Sequence, residues 1–210
     1  MKSNRIRRIN TILFPLRALL LPSKGMRGLL SLREERMAVV ARYCRGIVLD
    51  VGCGPGNLFI NNYIGPASGI GIDVFPYEGV EFVHKDMTKL PFADSSFDTV
   101  TLVAVGGHIP RPKRVAEFHE FGRVLKPGGR LLMTEGEPLT QFLIHKLQEI
   151  QSRFTGKKSM DLLRGMDEEE EYCMPLQEIR RYLNTPPFVL MDRIRFMWNM
   201  NNLYIAQKGL

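Results

Sequence analysis

Cysteine and histidine are both scarce, with three of one and four of the other in 210 residues. Cys44, Cys53 and Cys173 are odd in number, far apart and form no C-x-x-C pair. That argues against a disulfide framework and against a zinc site of ordinary spacing, and a reducing, cytoplasmic setting is expected. Long hydrophobic runs are also missing. Crossing a bilayer takes about 18 apolar residues, and the nearest stretch, Ile12 to Leu21, is broken by Pro15 and Arg17. No A-x-A-like cleavage site follows it, so the N-terminal segment is expected to stay in the mature chain. Internal repeats and low-complexity linkers are lacking too.

Acid is nearly absent from the N-terminus. Residues 1–46 hold eleven Lys/Arg against two Glu, a net of +9, whereas residues 47–210 hold eighteen against twenty, a net of −2. The overall +7 therefore describes an arm and not the main domain. The expected division is a basic amphipathic arm over 1–30 and one domain over 31–210. On a helical wheel Ile9, Ile12, Leu13, Leu16, Leu19 and Leu20 share a face, with Arg7, Asn10, Thr11 and Arg17 largely opposite. Such a segment suits an anionic membrane surface or a helix packed on the domain.

Strand and helix signals alternate through the main domain, which indicates an α/β fold with a mostly parallel sheet. Ser31 with Glu34 forms a capping-box pattern ahead of a helix to about Tyr43, whose buried side is expected to hold Leu32, Met37, Val40 and Ala41. Ile47–Val51 is an apolar run between glycines, as in a strand buried on both faces. A glycine-rich turn and a short helix from Asn57 to Tyr63 follow. Further strands are expected at 69–73, 81–84, 97–103 and 130–135, with a helix at 115–125. Beyond these, helices are expected at 138–152 and 175–183, and closing strands at 188–196 and 202–206. Asp167 to Glu171 reads as a solvated acid run.

A strand, a glycine-rich turn and a helix bring backbone close to a nucleotide-like ligand. The turn reads Gly52-Cys53-Gly54-Pro55-Gly56 after Asp50. Asn57 stands where the dinucleotide pattern needs its third glycine. Asp73 closes the next strand and can accept both hydroxyls of a ribose. Asp86, with Met87 beside it, follows the third strand and can accept from an adenine amino group.

Leu49-Asp50-Val51-Gly52-Cys53-Gly54-Pro55-Gly56 resembles the first motif of class I S-adenosylmethionine-dependent methyltransferases. Gly71-Ile72-Asp73 resembles the second. Lys85-Asp86-Met87 with Leu90-Pro91-Phe92, then Ser96-Phe97-Asp98, is similar to their adenine-binding and fourth-strand region. Arg123 to Leu131 is similar to the stretch before their fifth strand. The nearest subgroup is the ubiquinone/menaquinone-methyltransferase-like (methyltransferase type 11) family, and the likeness spans roughly 45–136 with a tail at 175–208.

The resemblance implies a Rossmann-like seven-strand sheet of order 3-2-1-4-5-7-6, its last strand antiparallel, with helices on both faces. It implies S-adenosyl-L-methionine as cofactor, held by Asp50, Gly52, Cys53, Gly54, Gly56, Asp73, Val74, Asp86, Met87 and Val103. One departure is plain in the sequence. Only Val74 to Val80 separate strands two and three, too few for a full crossover helix. Tyr77 there is a candidate neighbour of the adenosine. That flank of the sheet is expected to be thinly covered, leaving room for the arm or a second subunit.

Transfer to oxygen or carbon often needs a base, and His108 in Val105-Gly106-Gly107-His108-Ile109-Pro110 is the catalytic candidate. His145 is a weaker one. His84 reads as a sheet residue and His119 as exposed. Glu135 and Glu137, at the end of the fifth strand, are candidate polar contacts to an acceptor. The Asn/Asp-Pro-Pro-aromatic loop of enzymes that methylate base amino groups is absent. The expected substrate is thus a small or lipid-linked molecule, methylated on oxygen or carbon. A nucleic-acid methyltransferase with a gripping arm and a non-catalytic cofactor-binding partner protein are the alternatives. No metal is expected.

Overall fold

In a computed structural model the chain is described at residues 12–13, 29–138, 171 and 173–210. The expected arm over 1–30, the helix at 138–152, most of the acid run and His145 thus fall largely or wholly outside the described residues. No helix among them is long and apolar enough to cross a membrane.

Helix α1 (Leu32–Ala41) starts at the predicted capping box. Glu34 N donates to Ser31 Oγ at 3.1 Å, and Ser31 N donates to Glu34 Oε2 at 2.7 Å. These two bonds satisfy donors that a helix start otherwise leaves open. Strands β1 (Val48–Val51), β2 (Gly69–Asp73), β3 (Phe82–Val83) and β4 (Phe97–Val103) follow, then helix α2 (Arg114–Val124), strand β5 (Leu125–Gly136), helix α3 (Leu176–Leu183) and strands β6 (Phe188–Phe196) and β7 (Asn201–Lys208). The sheet order is β3-β2-β1-β4-β5-β7-β6. β7 runs antiparallel to both its neighbours, and the pairs from β3 through β5 are parallel.

Alternation along the strands divides the core between the two faces. Leu49, Val51, Leu131 and Met133 pack with Phe118, Phe121 and Val124 of α2 and Ile179 and Leu183 of α3. Val48, Leu132, Leu203 and Ile205 pack with Met37 and Val40 of α1 and with Phe59 and Ile60. Each such fully buried large side chain contributes on the order of 1.5–3 kcal/mol. Leu32 and Ala41, expected on the buried side of α1, are only half-buried.

Three departures from the sequence reading have local causes. The segment after the glycine turn is a 3-10 turn (Pro55–Asn57) and a π-helical turn (Ile60–Ile64), not a continuous helix. Positive φ at Gly56 (76°) and Asn57 (43°) interrupts the α-helical backbone. Strand β5 begins at Leu125, which pairs with Phe97, before the register shifts into Arg130↔Thr99. Pro127 lacks an N–H and Gly128 sits at φ 73°, so the intervening residues bulge and do not pair. Finally, β3 is only two residues long. The β2–β3 connection contains no helix, and Phe82 and Val83 stay 41% and 46% exposed, as the shortened crossover predicts.

Candidate active site

The parallel strands end along one edge of the sheet, the side on which open α/β sheets bind ligands. Glycine is needed there at two positions. A Cβ on Gly52 would lie 2.7 Å from Val105 Cγ2, and its φ of +69° disfavours any side chain. At Gly54 (φ +67°) the space is open among the described residues, where the one atom within 4 Å of a built Cβ is Arg33 Nη2, at 3.5 Å. The loop backbone at Gly54 can therefore be approached closely.

Asp50 lies beneath this loop, 2% exposed, and accepts from Thr101 Oγ1 of β4 at 2.6 Å. Burial raises its carboxyl to about 7, with the Thr101 bond opposing, Asp73 adding to the rise and Arg33 lowering it. Asp73, also buried, latches two backbone segments. Its Oδ2 accepts from Gly54 N at 2.9 Å and its Oδ1 from Phe75 N at 3.0 Å. Each carboxylate oxygen has a second acceptor site. Val74 and Val103 are half-buried at the ends of β2 and β4. Cys53 is buried, and burial pushes its thiol well above the ordinary range.

The short β2–β3 connection folds back over the glycine turn. Gly56 N donates to Glu78 O at 2.7 Å, and a Cβ on Gly79 would meet Gly56 Cα at 3.0 Å. Tyr77 stands in this connection with its ring 5.5 Å from that of Phe75. Asp86 is exposed, and its Oδ1 accepts from Thr88 N at 3.1 Å and Thr88 Oγ1 at 2.5 Å, which hold the carboxyl below the usual range. The Met87 side chain is 5% exposed in the core, so it supports the loop from below.

On the other half of the edge, Gly106–His108 forms a 3-10 turn after β4, with His108 half-buried at its end. Glu171 N donates to Gly107 O at 2.8 Å, and a Cβ on Gly107 would meet Glu171 O at 2.3 Å. Residues 171 and 173 thus pack directly on the turn. Glu135 is buried beside it. Its Oε1 accepts from Met174 N at 2.7 Å, while Oε2 has no partner among the described residues. Burial raises its carboxyl to about 7 against the Met174 bond, Arg36 and Arg114. Glu137 is engaged elsewhere, accepting from Arg193 Nη2 at 2.7 Å and Asn202 Nδ2 at 3.1 Å. His84 Nε2 lies 2.8 Å from Lys89 O, and His119 is exposed. No His/Cys/Asp/Glu cluster able to hold a metal occurs among the described residues.

The structure brings Asp50, the glycine turn and Asp73 together, and sets His108 and Glu135 across the same edge. Sequence reasoning missed Arg33 and Arg36. Both belong to the i, i+3, i+4, i+7 row Arg33-Arg36-Met37-Val40, the face on which Met37 and Val40 are buried. Two arginines in a buried row were the available signal.

Residues 49–133 match the methyltransferase domain family. A ubiquinone/menaquinone biosynthesis C-methyltransferase of Pseudomonas savastanoi is 35% identical over 123 residues, covering 50% of this chain and 47% of that protein. A phthiotriol/phenolphthiotriol dimycocerosates methyltransferase of Mycobacterium leprae is 31% identical over 140 residues, covering 57% and 50%. The chain spans about half the length of the curated relatives it matches. Burkholderia thailandensis 1,6-didemethyltoxoflavin-N1-methyltransferase, solved with 1,6-didemethyltoxoflavin and S-adenosylhomocysteine, shares the fold. Its TM-score is 0.59 at 13% identity, over 100% of this chain and 90% of that one. A Pyrococcus horikoshii protein superposes with a TM-score of 0.63 at 19% identity, over 100% and 99%.

Proposed function

We propose that this chain, which carries a class I S-adenosylmethionine-dependent methyltransferase domain, methylates oxygen or carbon of a small or lipid-linked acceptor. The observation that carries the reading is the Asp73 latch on Gly54, set over buried Asp50. It leaves an open glycine backbone with two acids beneath, which fits a ligand bearing a ribose and a cationic amino-acid end. When bound, S-adenosylmethionine supplies an electrophilic methyl group and departs as S-adenosylhomocysteine.

Asp73 is assigned the ribose hydroxyls and Asp50 the positive charge of the methionyl end. The turn Gly52–Gly56, with Cys53 packed inside it, gives close backbone approach. Asp86 is assigned to the adenine side in this reading, with Met87 supporting that loop from beneath, and Val74 and Val103 border the cofactor site at the ends of β2 and β4. His108 takes the acceptor's proton as the new bond to carbon forms. The near-neutral main domain speaks against a phosphate-rich substrate, which would call for basic contacts along the cleft. Relatives named for quinones and for mycobacterial lipids support an apolar acceptor.

Two results test this. Labelled S-adenosylmethionine given to the protein with fractionated lysate should mark the lipid or small-molecule pool. Label in RNA would overturn the acceptor class. His108→Gln should cut transfer about 100-fold while leaving S-adenosylhomocysteine affinity unchanged; equal loss of both would remove the base role.

A pH dependence follows from Asp50. Its folded carboxyl is raised to about 7, and a cationic ligand favours the ionised form. Affinity for S-adenosylmethionine should therefore rise with pH up to about 7 and level off above it, falling up to tenfold per unit on the acid side. Asp50→Asn should flatten the profile. A profile of unchanged slope in that variant would show that Asp50 does not face the charge.

A further inference from the structure

Side chains alternate along a strand, so Met133 and Glu135 point to the same face of β5. Met133 is fully buried in the core. Glu135 lies one residue past Thr134, where the pairing of β5 with β4 ends, and so stands at the ligand edge of the sheet. It is only 4% exposed, yet only half satisfied. Oε1 accepts from Met174 N at 2.7 Å, and Oε2 has no partner among the described residues. A buried polar atom without a partner costs about 1–3 kcal/mol, and more when charged, and native folds rarely leave one so. Glu137 is the contrast, since Arg193 and Asn202 both donate to it.

The open oxygen borders the turn after β4. A Cβ on Gly106 would lie 3.2 Å from Glu135 Oε2, so the carboxylate lies against the backbone of the turn that ends in His108. In the methyltransferase reading above, His108 takes the acceptor's proton, and the acceptor therefore belongs beside this turn.

The surroundings select the kind of donor that completes the site. Arg36 of α1 and Arg114 of α2 act on this carboxyl with positive charge, and Glu171 with negative charge. Arg114 is already committed to Ile109 O, Glu178 and Glu171. An incoming ammonium would meet the two arginines, and an incoming carboxylate or phosphate would meet the two glutamates. A neutral hydroxyl escapes both penalties and still supplies the missing donor.

We propose that Glu135 Oε2 binds the methyl acceptor by taking a hydrogen bond from one of its neutral hydroxyl groups. This rests on the methyltransferase reading above and narrows the acceptor to a molecule bearing such a group.

The test uses the lipid and small-molecule fractions of lysate with saturating labelled S-adenosylmethionine, and reads the amount of fraction that gives half the maximal rate. Glu135→Gln keeps an oxygen for Met174 N and removes the charge, so it should raise that amount about 10-fold, and Glu135→Met, which removes both oxygens, about 100-fold. Calorimetry should find S-adenosylhomocysteine affinity unchanged in both. Treating the fraction with acetic anhydride, which caps hydroxyls, should abolish labelling by the wild type. Unchanged acceptor dependence in Glu135→Gln, an equal loss of S-adenosylhomocysteine affinity in that variant, or labelling that survives the cap would each overturn the proposal. A wild-type chain that labels no pool would instead overturn the methyltransferase reading itself.

Discussion

Asp73→Ala is expected to weaken S-adenosylhomocysteine binding by about 100-fold or more. Two effects combine. The carboxylate is buried and holds Gly54 N at 2.9 Å and Phe75 N at 3.0 Å, so its removal frees those two backbone donors and loosens the turn at Gly54. It also removes the group assigned to the ribose hydroxyls. Hydrogen bonds to a charged group contribute about 1.5–3 kcal/mol each, and 1.4 kcal/mol is tenfold in affinity. Asp73→Asn keeps the shape and one acceptor oxygen, so it should fall between wild type and alanine. Calorimetric titration checks the series. An alanine variant that binds as wild type would remove Asp73 from the site. Gly56 N is held separately by Glu78 O at 2.7 Å, so a melting curve should show the fold intact while binding is lost.

Arg114→Met should destabilise the protein by about 3 kcal/mol, lowering the melting temperature by roughly 10 °C for a chain of this size. The guanidinium is fully buried at the start of α2. It donates to Ile109 O at 2.9 Å, to Glu178 Oε2 of α3 at 2.5 Å and to Glu171 Oε2 at 3.0 Å. One side chain therefore joins the loop after β4, helices α2 and α3, and the residue packed on Gly107. Its loss strands two carboxylates, which partial exposure relieves only in part. Arg114→Lys cannot reproduce the fork and should also lose stability. Arg111, with a 58% exposed side chain near the same two glutamates, is the control. Its removal should cost less than about 1 kcal/mol. Equal shifts for Arg111→Met and Arg114→Met in thermal melts would contradict the buried-clamp account.

Much of the fold is legible where strands are buried on both faces. Gly69–Asp73 and Phe97–Val103 read residue for residue, because a parallel core strand is an apolar run bounded by glycine or turn residues. The strand order followed from the family likeness and not from the pattern itself. Asp50, Asp73 and the glycine turn were legible as candidates because tight turning and close backbone approach restrict residue type so strongly. The start of β5 was hidden, since Lys-Pro-Gly-Gly reads as a stop and nothing in it announces that Leu125 already pairs with Phe97. The helix expected after the glycine turn failed because Asn57 adopts a positive φ, a tertiary demand that propensity does not register. Arg33 and Arg114 escaped for a shared reason. Charged residues on helices are assigned to solvent by default, and only packing shows that these two point inward.

The proposed role of the glycine edge is to bind S-adenosylmethionine. The most direct measurement is a calorimetric titration of the wild-type chain with S-adenosylhomocysteine at micromolar protein. Saturable binding of one ligand per chain is expected, lost in Asp73→Ala. Absence of heat and of any thermal stabilisation by the ligand would contradict it.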